Sequence, residues 1–144
     1  MNTTFKNIVA VLIAVFFGSA VNMGILMIGS YIIPVPAGVD VSKLETLKAN
    51  MHLFEPKHFI FPFLAHALGT FAGAYLVARM AVAHKINFAL LIGLLFLVGG
   101  AIDVFMLPAP MWFNAVDLIF AYIPMAYLGG KLGSSAKLPP TVSS

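Results

Sequence analysis

The chain has no cysteine, and only 9% of its 144 residues are charged. The first absence excludes disulfides, thiolate metal centres and thiol redox chemistry. The second excludes more. Ordinary globular proteins carry about 25% charged residues, so 8 basic and 5 acidic side chains give a soluble domain of this size too little polar cover. A soluble enzyme, a nucleic-acid-binding domain and a disordered chain are all disfavoured. The net charge of +3 comes from scattered residues and not from a basic stripe, so no nucleic-acid partner is expected. There is no Gly-rich phosphate loop, nucleophile elbow or His-Glu-x-x-His pattern. No cofactor and no catalytic residue is expected on these grounds.

Apolar residues are abundant. They make up 61% of the chain, and the mean hydropathy is +1.01. They gather in four runs, at about 8–33, 59–83, 86–107 and 111–128. Each is near or above the roughly 20 residues that cross a hydrocarbon layer. Backbone polar groups in lipid must be satisfied within the segment, which makes each run a helix. The expected fold is an all-α membrane protein, a four-helix transmembrane bundle over residues 1–130 in contact with the lipid bilayer. Lys6, the apolar stretch from Ile8 to Phe17 and Gly18-Ser19-Ala20 resemble a cleavable signal. The run nevertheless continues to Ile33, too long for a signal core, and is read as a retained span.

The basic residues set an orientation. Lys6, Arg79, Lys85, Lys131 and Lys137 fall on one side with no acid, whereas Lys43, Lys48 and Lys57 on the other are offset by Asp40, Glu45 and Glu55. The side richer in uncompensated Lys and Arg is expected to be cytoplasmic, with both termini. Short links, His84-Lys85 and Pro108-Ala109-Pro110, make consecutive spans antiparallel neighbours. The one long link, the outer loop 34–58, opens with Pro34-Val35-Pro36-Ala37-Gly38 and cannot begin as helix. Its second half reads as a short extracytoplasmic amphipathic helix. Ser42 and Glu45 fit a capping box, and Leu44, Leu47, Met51 and Phe54 recur at helical spacing. Residues 131–144, with their Gly, Ser and Pro, read as a disordered cytoplasmic tail. Pro124 is expected to kink the fourth span and free the Phe120 carbonyl.

Few polar residues interrupt the spans. Counted inward from the turns at about 1.5 Å per residue, Asn22, His66, Asp103, Asn114 and Asp117 come from all four helices and fall in the outer half of the membrane. Thr70 lies one turn past His66 on the same face. An ionisable side chain in a span costs at least about 2.5–3.5 kcal/mol, so both aspartates are expected to turn inward and find partners. Such a cluster suits a proton relay, a cation site or a polar-ligand site. It also suits a network that only locks helices together, or an Asp103 wetted at the interface. Small residues mark contact faces: Gly69-x-x-x-Gly73 on the second span, Gly18 on the first and Gly100 on the third. Arg79 reads as an anchor snorkelling to the interface. His52, Glu55 and His58 match no strong zinc spacing, and no metal site is assigned.

The run Phe54-Glu55-Pro56-Lys57-His58-Phe59, continuing through Phe61-Pro62-Phe63-Leu64-Ala65-His66-Ala67-Leu68-Gly69-Thr70 to Gly73-Ala74, resembles a stretch found in small uncharacterised four-helix bacterial inner-membrane proteins. The likeness extends over most of the chain, including Phe105-Met106-Leu107-Pro108. It implies a bacterial inner-membrane setting and no activity, so no site residue follows from it. The residues themselves point first to a small oligomeric transport or channel-type protein using the carboxylate–histidine cluster. The alternative is a non-catalytic accessory or assembly protein whose outer loop binds a membrane partner. A metal-dependent intramembrane enzyme on His66, Asp103 and Asp117 ranks lowest.

Overall fold

The computed structural model describes residues 2–136. Four helical rods long and apolar enough to cross a membrane run through it: Thr3–Ile32, Pro56–Met80, Lys85–Met106 and Met111–Ser135. No strand occurs among the described residues. The elements are α1 (Thr3–Ile32), α2 (Leu44–Asn50), α3 (Ile60–Met80), α4 (Lys85–Met106), α5 (Met111–Phe120) and α6 (Ile123–Ser135), with 3-10 turns at Met51–Leu53 and Pro56–Phe59. The chain is an all-α, multi-pass membrane protein.

α3 is the central rod. It packs against α1, α4 and α6, whereas α1 meets little besides α3. Alanine and glycine let these rods approach closely. Ala10, Ala14, Ala74, Ala89 and Ala126 are buried with Val77 and Ile92 in one core cluster. Gly18 and Gly69 face each other so tightly that a Cβ on either would stand 2.7–2.8 Å from the other's carbonyl oxygen. A Cβ on Gly73 would stand 2.9 Å from the Ala14 carbonyl oxygen. The large side chains point outward: Phe16, Met27, Val98 and Ile119 are exposed, and Phe105 is 91% exposed. A bundle that puts small residues inside and large apolar ones outside is built for a hydrocarbon solvent.

Several boundaries differ from the expected ones. α1 starts at Thr3 because the Asn2 side chain accepts from the Thr4 amide at 2.6 Å and from the Phe5 amide at 3.4 Å, satisfying donors at the helix start. The expected Ser42–Glu45 capping box does not form. Ser42 donates both its amide (3.0 Å) and its hydroxyl (2.6 Å) to Asp40 Oδ1, so the nearer carboxylate takes the serine, and α2 begins behind Lys43 with no side-chain cap. The fourth span extends beyond Leu128 to Ser135, so residues 131–135 are helix and not tail. Gly129, Gly130 and Gly133 are buried there against Phe71, Ala89 and Tyr75, and glycine keeps the helix because it permits that contact. Residues 137–144 of the expected tail lie outside the described residues.

Two ties hold the helix ends. Arg79 Nη1 donates to the Ala136 carbonyl, joining the ends of α3 and α6 in place of a free interfacial side chain. Asn7 Oδ1 accepts from the Val82 amide at 3.2 Å, fixing α1 to the α3–α4 turn. At the opposite end Met51, Phe59 and Phe113 form a buried cluster with Leu47, Phe54 and Leu107 against it. The apolar side of the amphipathic segment therefore folds back onto the bundle's own end.

Candidate functional site

His66 lies on the second turn of α3 and Asp117 on the second turn of α5, about 9 Å along each helix from its start. Equal depth on packed rods brings them together. His66 Nδ1 is 2.9 Å from both Oδ1 and Oδ2 of Asp117. The Asp117 side chain is only 6% exposed. Its second partner is Tyr122, whose hydroxyl donates to Oδ2 at 2.9 Å. The imidazole and the phenol ring stack at 5.7 Å between centroids. A carboxylate that receives the phenol proton as acceptor is satisfied on its other side by a donor, which assigns the ring proton of His66 to Nδ1. In the neutral imidazole, Nε2 then carries the lone pair.

Tyr122 reaches this position because the fourth span breaks. α5 ends at Phe120, Ala121 and Tyr122 form a turn, and α6 restarts with Pro124 in its first turn. Proline has no N–H for the Phe120 carbonyl and crowds it, so the rod cannot continue straight. Tyr122 is at φ −113°, ψ −79°. Its ring lies over Gly100 of α4, where a Cβ would collide with the ring and the hydroxyl. Sequence reasoning named Gly100 and Pro124 but missed Tyr122. The available signal was a tyrosine in mid-span, whose hydroxyl must find a partner when buried.

The exposed side of this triad borders a cavity of about 180 Å³, whose wall includes Ser19, Asn22, His66, Asp103 and Tyr122. Leu95, Phe96, Gly99 and Gly100 complete it. Asp117 is not on the wall, so the imidazole stands between the buried carboxylate and the cavity. Ser19, Gly99 and Asp103 are exposed, and the cavity opens sideways between α1 and α4.

The expected cluster is thus only partly assembled. His66 and Asp117 bond directly, and Asn22 and Asp103 share the cavity wall with His66. Among the described residues Asp103 forms no ion pair, and the hydrogen bonds of Asp117 go to His66 and Tyr122 and not to Asp103. Asn22 Oδ1 is buried without a hydrogen-bond partner among the described residues. Asn114 stands apart, because its amide turns back to the Ala109 carbonyl at 3.4 Å and closes the α4–α5 turn. Thr70 is fully buried, yet its hydroxyl has no partner among the described residues and lies off the cavity wall.

Among the described residues no three His, Asp or Glu side chains converge as metal ligands, and this bears on two readings. His66, Asp103 and Asp117 do not form the ligand set that the enzyme reading needs. His52, Glu55 and His58 do not either: His58 Nδ1 accepts from the Glu55 amide at 2.8 Å, and Glu55 pairs with Lys57 at 2.8 Å. A second cavity of about 240 Å³, near Phe59, Phe63, Trp112 and Phe113, is walled by hydrocarbon and holds no titratable group.

No protein-family model matches the chain, and no curated protein or solved structure matches it.

Proposed function

We propose that the chain is a small transport or channel-type protein of a bacterial inner membrane, with both termini cytoplasmic, that moves protons or a proton-coupled solute through the half-membrane site around His66. One observation carries the reading: the His66 imidazole is held by Asp117 on its Nδ1 side and borders the Asp103 cavity on its other side. A neutral imidazole so held takes a proton at Nε2 and becomes an imidazolium whose charge Asp117 compensates. Losing that proton returns the starting state. Histidine is the side chain suited to this exchange near neutral pH, and Tyr122 keeps Asp117 oriented through each cycle. A carboxylate and an imidazole inside a span are costly unless they are used or paired.

The excess of Lys and Arg at the termini end supports the orientation. Four helices leave little internal room, and the sideways opening at Ser19 and Asp103 supports a pathway completed between copies of the chain. The accessory reading has less support, since Met51 and the neighbouring apolar loop residues pack on the bundle itself and leave less surface for a partner.

Purified protein in liposomes carrying an internal pH dye tests the reading. A pH-dependent flux is expected, and Asp117→Asn and Asp103→Asn together should abolish it. A flux unchanged by both substitutions overturns the role assigned to the cluster.

A further inference from the structure

We infer that the cavity between α1, α3 and α4 binds a small ammonium-type cation, either ammonium itself or a short primary amine. This rests on reading the His66 site as a transport site, and it names the class of solute.

The cavity wall carries unfilled hydrogen-bond positions. Asp103 presents a carboxylate with no cationic partner among the described residues. Among the described residues Asn22 Oδ1 has no donor, and its own surface is closed to solvent. His66 has spent Nδ1 on Asp117, which leaves Nε2 as an acceptor. Tyr122 has spent its hydroxyl proton on the same carboxylate. The wall therefore offers two unfilled acceptors, the Asp103 carboxylate with its uncompensated negative charge and His66 Nε2, beside the Ser19 hydroxyl and the Asn22 amide N–H groups, which can donate. An acceptor left without a donor away from water is costly, so the best guest brings both N–H donors and a positive charge. An anion would be repelled by Asp103.

The remaining walls separate ammonium from a metal ion. Phe96 and Tyr122 give the cavity aromatic surface, which favours weakly hydrated, diffuse cations. Among the described residues no three ligating side chains converge to replace a metal's hydration shell. The volume of about 180 Å³ also fits, because a water molecule claims about 30 Å³. There is room for an ammonium ion with water, or for methylammonium, and none for a large amphiphile. Gly99 leaves the entrance clear, since a Cβ there would meet nothing within 4 Å.

Radiolabelled methylammonium is the probe, with equilibrium binding measured on the purified protein in nanodiscs. Saturable binding is expected, displaced by ammonium at least tenfold better than by potassium, which has a similar size and no N–H. Asp103→Asn should weaken binding by about tenfold or more, the scale of one hydrogen bond to a charged group, and Gly99→Leu should fill the entrance and abolish it. Gly24→Ala, at a position where a Cβ meets nothing and which lies off the cavity, should bind as the parent does. Competition by potassium and sodium equal to that by ammonium overturns the assignment, because the site would then read charge alone. Absence of saturable binding alongside an Asp117-dependent proton flux also overturns it, and leaves the transport reading standing. Absence of both ends both. Saturable, Asp103-dependent binding without flux upholds the site and removes transport.

Discussion

The ring of Tyr122 occupies the space that a side chain on Gly100 would need. This contact between α4 and the broken fourth span lets the phenol reach Asp117 at 2.9 Å. Gly100→Ala should therefore push the ring away and remove one buried hydrogen bond. Tyr122→Phe removes the same bond with the packing retained. Interhelical hydrogen bonds in membranes are worth about 0.6 kcal/mol on average, up to about 1.7, and overpacking adds about 1–3 kcal/mol. Unfolding of the purified protein in mixed detergent should rank the parent above Tyr122→Phe, and Tyr122→Phe above Gly100→Ala.

The Gly18–Gly69 crossing gives a second prediction. Gly69→Ala places a Cβ 2.8 Å from the Gly18 carbonyl oxygen and 2.9 Å from Asn22 Cβ, and neither atom is the far end of a flexible side chain. A loss of about 1–3 kcal/mol is expected, measured by the same unfolding assay. Gly24→Ala on α1, where a Cβ meets nothing within 4 Å, should change stability little. Equal effects at the two positions would refute the close α1–α3 contact.

The missing cysteines make orientation measurable in a clean background. Ser42→Cys should react with a membrane-impermeant maleimide on intact cells, and Ser135→Cys only after the membrane is opened. The reverse pattern would invert the topology argued from Lys and Arg.

The loop before α3 carries a pH signature. Lys57 beside Glu55, with a smaller contribution from His58, holds the Glu55 carboxyl below its ordinary value of 4.5. A lowered carboxylate contributes order that is present above about pH 4.5 and is lost as pH falls through the lower, native value. Lys57→Gln should return the Glu55 titration towards 4.5 in a carboxyl-carbon NMR experiment. An unmoved midpoint would show that the pair at 2.8 Å does not persist in solution.

The spans were legible because lipid allows few solutions: an apolar run of sufficient length with satisfied backbone is a helix. The shared depth of His66 and Asp117 was legible too, since turns fix where counting begins. What escaped depended on competition and packing. Ser42 had two acidic neighbours, and the spacing that favours Glu45 carries no information about Asp40 reaching it first. Gly129, Gly130 and Gly133 look like a loop in one dimension and become helix only when Phe71, Ala89 and Tyr75 press on them. Asn114 shares a helix with Asp117, but the short α4–α5 turn recruits its amide. Tyr122 required the kink at Pro124 and the gap at Gly100 to be considered together.

The central place of α3 also bears on how the protein is made. Synthesis runs from α1 to α6, so α1 waits in the membrane for α3, the rod against which it packs. α3, which carries His66, enters the bilayer ahead of the helices that carry Asp103 and Asp117. Each acid that follows, Asp103 on α4 and then Asp117 on α5, enters a membrane that already contains a base. The order of residues along the chain thus spares the nascent protein a stage in which two carboxyl groups are in lipid with no imidazole at hand.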